Sequence, residues 1–360
     1  MKQSKILFFC VLILSTFGLV MVYSSSSIWS SYKFGNPYRY VIHQMIFLLM
    51  GIILCLIISK IDYKIYKEKS NLILFICFLL LVLVLIPGLG KVRNGSRSWF
   101  GIGSFGIQPS EISKIGLTIF ISKYLSKNDS LKRNNKKFIF PILLIIMIFF
   151  GLIMLEPDFG TGMVIVVSLI ALIFISGADF KIFIKLGILG VLGIAGLILV
   201  APYRLKRIIS FLDPWTDPLG SGFQIIQSLY AIGPGGLLGQ GFLSSRQKYF
   251  YLPEPQTDFI FSIITEEFGF AGAMFVCTMY FLIIYISIKI ALRQTDLFAK
   301  YLAMGLIIMF AFQTILNLLV VVGLVPVTGV TLPFLSYGGS SLLVTMASIG
   351  IILNISKNNG

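Results

Sequence analysis

The sequence predicts an all-α integral membrane protein, a single polytopic membrane domain over 1–360 with about ten transmembrane helices and one large extracytoplasmic loop. Three observations predict it. Hydrophobic residues make up 57% of the chain and charged residues 12%, about half the charged share of a soluble domain. The mean hydropathy is +0.95. The apolar residues fall in blocks of about 17 to 25, the length that crosses a hydrocarbon core as a helix. Such blocks must be helical, because the bilayer leaves each backbone polar group to be satisfied within its own segment.

Spans are expected at Ile6–Tyr23, Tyr40–Ser59, Asn71–Pro87, Pro109–Leu125, Phe138–Leu155, Thr161–Ser176, Ile182–Pro202, Thr257–Ile290, Tyr301–Val325 and Gly338–Ile355. The first block has no small-residue cleavage site and reads as a retained anchor rather than a removed signal peptide. With the N-terminus inside, about 18 basic residues fall on cytoplasmic segments and about 10 outside. The short inside loops Lys60–Lys69 and Lys123–Lys137 carry many of them. The net charge of +15 therefore reports orientation, and no nucleic-acid partner is expected.

Acidic residues are distributed the other way. Glu156, Asp158, Asp213, Asp217, Glu254 and Asp258 fall on outer loops or their edges, while Glu111, Glu266 and Glu267 lie within or near spans. Carboxylates contribute little to orientation, so another requirement places them there. The four cysteines lie in apolar blocks without CxxC spacing, and His43 is the only histidine. A disulfide framework, a zinc site and a His-based triad are all disfavoured.

The outer loop, about 203–256, is rich in Gly and Pro, yet carries Phe211, Trp215, Ile225, Ile226 and Tyr230. These argue for order, with a short surface helix at Gly222–Ile232. Five polar constellations gather around this side. In QPSEISKIGLT, Pro109 suits a first helical turn, and Gln108, Glu111, Lys114 and Thr118 share a face. Glu111–Lys114 reads either as an ion pair joining helices or as a direct catalytic or substrate contact. In EPDFGTG, Asp158 either caps the next helix or lines the same cavity as the first group. Arg204 and Arg207 run against the positive-inside rule and suit an anion such as pyrophosphate, or lipid headgroups. In SRQKYFYLPEPQTDFIFSIITEEFG, Arg246 and Lys248 precede Glu254 and Asp258, and a helix starting near Thr257 would align Asp258, Ser262 and Glu266. Asp258, partly desolvated among cations, is a plausible general base, while Glu267 reads as structural. PVTGVTLPFLSYGGSS, Pro326–Ser341, interrupts an apolar region and is expected to wall the site.

Together these motifs resemble the SEDS family (shape, elongation, division and sporulation proteins), over nearly the whole chain. The stretches NGSRSWFGIGSFGIQPSE, APYRLKRI, DPWTDPLGSGFQIIQSLYAIGPGGL and SRQKYFYLPEPQTDFIF carry the likeness. SRQKYFYLPEPQTD and TGVTLPFLSYGGSS look like the FtsW and sporulation (SpoVE) branch rather than the RodA branch. The resemblance implies a multi-pass protein of the bacterial plasma membrane whose active site faces outward. It implies a peptidoglycan glycosyltransferase polymerising lipid II beside a class B penicillin-binding transpeptidase. The family's essential aspartate corresponds to Asp258. Gln108, Glu111, Lys114, Asp158, Arg204, Arg207, Arg246, Lys248 and Glu254 are the expected substrate contacts. No protein metal site is assigned, although oxygen ligands of this kind would suit Mg²⁺ or Mn²⁺. The chain departs from the family's usual QPDLGT at Glu156 and Phe159, and from its GxGxG run at Leu243. A lipid II flippase or a scaffold for the transpeptidase are the rival readings. No internal repeat of the kind many transporters carry is visible.

The orientation has a direct test. With the native cysteines removed, Ser221→Cys is expected to react with an impermeant thiol reagent in intact cells, and Ser130→Cys to be protected. The opposite pattern would invert the topology.

Overall fold

The computed structural model describes residues 2–93, 95–102, 105–127, 136–200 and 210–357. Each of the predicted apolar blocks forms a helix: α1 (Lys2–Phe34), α2 (Arg39–Ile58), α4 (Ser70–Leu85), α5 (Pro109–Lys127), α6 (Lys136–Leu155), α7 (Phe159–Ile175), α8 (Phe180–Val200), α10 (Ile260–Leu292), α11 (Leu297–Val321) and α12 (Gly339–Lys357). Two short helices complete the set, α3 (Tyr63–Glu68) and α9 (Phe223–Ile232), the latter where the loop was expected to order. Of the ten long helices, α1, α2, α6, α10, α11 and α12 are long and apolar enough to cross a membrane on those grounds alone.

The packing suits a lipid solvent. In α1, Ser15, Ser24, Ser25, Ser26 and Ser30 are buried while Ile6, Phe9, Ile13 and Val20 are exposed. Ser25 and Ser26 donate back to the carbonyls of Met21 and Val22, so the serine run satisfies itself within the helix rather than breaking it. This is why α1 passes the expected end at Tyr23 and stops only at Phe34. There Gly35, at φ 67°, donates its N–H to the Ser31 carbonyl. α2 packs on α12, α10 on α11 and α1, and α4 on α5.

An antiparallel sheet was not expected from the sequence. Strands β1 (Lys91–Arg93), β2 (Ser96–Ile102) and β3 (Phe105–Ile107) pair in the order β1-β2-β3, with Val92 opposite Arg97 and Gly101 opposite Gly106. Its last strand leads directly into Gln108 and α5. The Ser340 hydroxyl, at the start of α12, donates to the Gly106 carbonyl and accepts from the Gln108 N–H. The sheet is thereby tied to the same end of the bundle as the large loop, called here the loop end.

The other departure is α10. Its first residue is Ile260 rather than Thr257, and it is broken at Gly269, where φ is 61° and ψ −154°, a region essentially reserved for glycine. The loop supplies the missing partners. Phe270 and Ala271 donate to the carbonyls of Gly236 and Leu237, and Gln240 and Gly241 donate to those of Glu266 and Glu267. A Cβ at Gly239 would lie 2.2 Å from the Glu267 carbonyl oxygen, so this approach too requires glycine.

Gly269→Ala tests that interlock. The new Cβ would fall 2.4 Å from the Gly239 nitrogen, and the backbone conformation alone costs about 1–3 kcal/mol without glycine. The expected result is a clear drop in melting temperature in detergent. An unchanged melting temperature would show that the break is not held this way.

Candidate active site

At the loop end, three consecutive carbonyls are each gripped by a later part of the chain. The Gln256 carbonyl accepts from the Tyr337 N–H at 2.8 Å, the Thr257 carbonyl from the Ser336 hydroxyl, and the Asp258 carbonyl from the Asn317 amide at 2.8 Å. Asn317 also donates to the Val330 carbonyl. The segment Pro326–Ser341 is itself tied down. The amide of Gln44 in α2 donates to the Ser336 carbonyl and accepts from the Gly338 N–H. Tyr280 donates its hydroxyl to the Pro333 carbonyl. The expected wall of the site is therefore a hydrogen-bonded frame, and Ser336 works as part of it.

Asp258 stands in this frame as a half-buried side chain just before α10. One carboxylate oxygen faces the backbone of Gly329, where an added Cβ would sit 3.8 Å away. The expected alignment of Asp258, Ser262 and Glu266 does not become one site. Ser262 pairs with Ser228 of α9, and Glu266 turns to the loop.

That turn forms a clamp. Glu266 accepts from the Ser245 hydroxyl at 2.6 Å and from the N–H groups of Arg246 and Gln247. Glu267, fully buried, accepts from the Lys248 ammonium at 3.0 Å, the Ser24 hydroxyl and the Ser245 N–H. Lys248 is only 4% exposed, so its charge is committed to Glu267 and α1. Arg246 is exposed. Glu254 is also exposed, at φ 45°. Arg204 and Arg207 lie outside the described residues.

The first predicted group assembles as two connected parts. Asp158 caps α7 by accepting from the Thr161 N–H, and its other oxygen accepts from the Gln108 amide at 2.7 Å and from Ser110. Deeper in, Lys114 meets both oxygens of Glu111 at 2.8 Å and donates to the Gln313 side-chain oxygen at 2.7 Å. The Gln313 amide donates to the Thr331 carbonyl. Glu111 and Lys114 thus form a buried pair that couples α5 to α11 and the frame.

Gln313 and Asn317 were missed by the sequence reading. Two amides four residues apart in an otherwise apolar span are a visible signal, because polar groups at that depth demand partners. Among the described residues, no three His, Cys, Asp or Glu side chains converge as ligands for the divalent cation considered above.

Comparisons with known proteins give the family and the fold. The family model described as "Cell cycle protein", named for FtsW, RodA and SpoVE, matches residues 4–360. The chain belongs to this family. It is 51% identical over 346 residues to stage V sporulation protein E of Bacillus subtilis (strain 168), covering 96% of this chain and 94% of that protein. It is 40% identical over 355 residues to the probable peptidoglycan glycosyltransferase FtsW of Trichlorobacter lovleyi, covering 99% and 93%. Among solved structures, it is similar to a chain of a peptidoglycan synthase complex described as coordinating polymerization and crosslinking. The TM-score is 0.77 at 28% identity, covering 98% of this chain and 97% of that one.

Glu156, where the family resemblance implies glutamine, is fully buried, and among the described residues neither carboxyl oxygen has a hydrogen-bond partner. Its backbone carbonyl accepts from Ser96 of the sheet. Burial, with the Asp158 charge adding to it, pushes the carboxyl from 4.5 up to about 8. Burial also raises Asp158, opposed by its bond from Thr161. The sign follows from proton binding. Between pH 4.5 and about 8 the folded state holds a proton that the unfolded state releases, so stability falls as pH rises across that window. Glu156→Gln is expected to flatten the melting-temperature profile there and to match or exceed wild type at pH 8. Identical profiles would mean that Glu156 is already ionised and solvated.

Proposed function

We propose that this protein is a peptidoglycan glycosyltransferase that polymerises lipid II at the outer face of the bacterial membrane, paired with a class B penicillin-binding transpeptidase. The observation that carries the reading is Asp258: a half-buried carboxylate on a backbone gripped at three successive carbonyls. Family membership and the peptidoglycan glycosyltransferase names of relatives support the substrate class. The peptidoglycan synthase complex supports the transpeptidase partner.

In the proposed step, Asp258 takes the proton from the 4-hydroxyl of the acceptor lipid II. The freed oxygen attacks the anomeric carbon of the donor. The bond to the donor's undecaprenyl pyrophosphate breaks, and its electron pair leaves on the phosphate oxygen. One displacement inverts the α-linked donor to a β-linked product. A rigid backbone suits this role because a general base must be in place before the reaction and not reorganise during it. Charge developing on the pyrophosphate falls to exposed cations. Arg246 is the candidate on the clamp, and Arg39 and Arg93 add positive potential around Tyr337. Gln108 and Asp158, half-buried at the start of α5 and α7, are the proposed substrate contacts of the first group. Glu111, Lys114 and Lys248 act one layer behind, as fastenings.

Asp258→Asn decides the reading. The variant keeps the backbone bonds from Asn317, Ser336 and Tyr337, so thermal stability and co-purification with the transpeptidase are expected to survive. Polymerisation of labelled lipid II by the purified pair is expected to fall by about 100- to 10,000-fold. Near-normal polymer from this variant would remove Asp258 from the chemistry. A wild-type pair that makes no polymer would favour a flippase or a scaffold.

A further inference from the structure

One surface at the loop end extends beyond this mechanism, sharing Tyr337 and Arg39 with it, and it is built from aromatic rings in a connected series. Tyr337, whose N–H holds the Gln256 carbonyl, meets Tyr40 edge to face at 4.9 Å. Tyr40 meets Phe34 at 6.0 Å. The Lys33 ammonium bridges the faces of Phe34 and Trp29, at 5.7 Å from each. Trp29 meets Phe250 at 5.6 Å and Tyr32 at 6.2 Å, and Tyr32 and Phe250 meet at 5.3 Å. The series leads from the frame around Asp258 to open surface, where Tyr32 is 78% exposed and Phe250 50%.

Three features mark this shelf. Its height is the first. α1 is 33 residues long, about 50 Å against a hydrocarbon core of about 30 Å. Trp29 and Tyr32 stand roughly 9 and 13 Å along α1 beyond Tyr23, where the apolar block ends. The second is strain. Phe250 holds φ at 68°, an outlier for a bulky residue that persists only where its surroundings impose it. Phe250 lies just past the clamped Ser245–Lys248, between the bonds that Tyr249 and Leu252 donate to the carbonyls of Arg246 and Gln247, and its ring meets Trp29 and Tyr32. The third is charge. Lys33 and Arg39 lie over ring faces of the shelf, Arg39 at 4.0 Å from the Phe34 centroid. Rings and cations together offer two kinds of contact. An anionic, sugar-based polymer fits both, because the apolar faces of pyranose rings stack on aromatic faces while pendant carboxylates meet the cations.

We infer that this shelf binds the growing glycan strand as it leaves the catalytic frame, a product subsite for an amino-sugar polymer bearing acidic peptide stems. The inference rests on the proposed polymerase reading, which supplies the strand. It gives the protein a hold on its product separate from the lipid anchor.

The test uses full-length protein in nanodiscs and fluorescently labelled, lipid-free, uncrosslinked peptidoglycan strands. Wild type is expected to retain strands. The Tyr32→Ala/Phe250→Ala double variant is expected to bind them about tenfold more weakly, two ring contacts at their usual worth, and to make shorter glycans from lipid II. Tyr32→Phe and Phe250→Tyr keep the rings and are expected to behave as wild type, which separates stacking from damage to the fold. No strand retention by wild type, or equal retention by the double variant, overturns the shelf while leaving polymerisation untouched. A change confined to quenching of tryptophan by headgroup-labelled lipid would assign the rings to the membrane interface and also overturn it. Strand retention by a wild type that makes no polymer would sink the polymerase reading and leave the shelf standing as a glycan site.

Discussion

Backbone that leaves a helix at membrane depth must find every hydrogen bond inside the protein, and the loop end is organised around that demand. The non-helical stretch Gln256–Asp258 meets it through Tyr337, Ser336 and Asn317. The break in α10 meets it through the backbone of Gly236–Gly241. In each case the solution is mutual: the loop that satisfies the break is itself satisfied by it. Rigidity around Asp258 follows as a by-product of solvation. No part of the frame can relax without stranding a donor or acceptor where water does not compensate, at a cost of several kcal/mol per group.

Charge is buried in two different ways around that frame. Lys114–Glu111 and Lys248–Glu267 are paired and hydrogen-bonded further, to Gln313 and to Ser24. Such pairs are a weak source of net stability but a strong penalty against separation, since losing one partner leaves the other uncompensated. They work as fastenings that permit one arrangement of α1, α5, α10 and α11. Glu156 is the contrary case, a buried carboxyl with no hydrogen-bond partner among the described residues. Its burial is affordable only as the neutral acid, which is how a glutamate can occupy a place where an amide would serve.

Much of this was legible in the sequence. Block length and polarity gave the ten long helices, because lipid imposes helix on any apolar block of that length. Pro109 opened α5, Asp158 capped α7, and Gly222–Ile232 became α9, each through local chemistry that a few neighbouring residues determine. What escaped depended on distant partners. α1 continued past Tyr23 because its serines bond back within the helix, which apolar block length does not register. The sheet at Lys91–Ile107 is short and glycine-rich, with strands of three, seven and three residues, too brief for an alternation pattern to stand out. Lys248 was expected to contact substrate beside Arg246, and only the return of the loop onto Glu267 buries it. Asp258 was named from the sequence but its support was not, since the residues that grip its backbone lie 59 to 79 positions further along.

That separation sets an order of events during synthesis. Chains emerge N-terminus first, so Asp258 and α10 reach the membrane before Asn317, Ser336 and Tyr337 exist to hold them. Gln44, waiting on α2, receives Ser336 and Gly338 later still. A nascent chain therefore carries its reactive carboxylate on an unbraced backbone until α11 and the segment leading into α12 have been made and inserted. Competence arrives late, so a product halted between the end of α11 and Ser336 would hold nine of the ten long helices yet lack the full brace on Asp258.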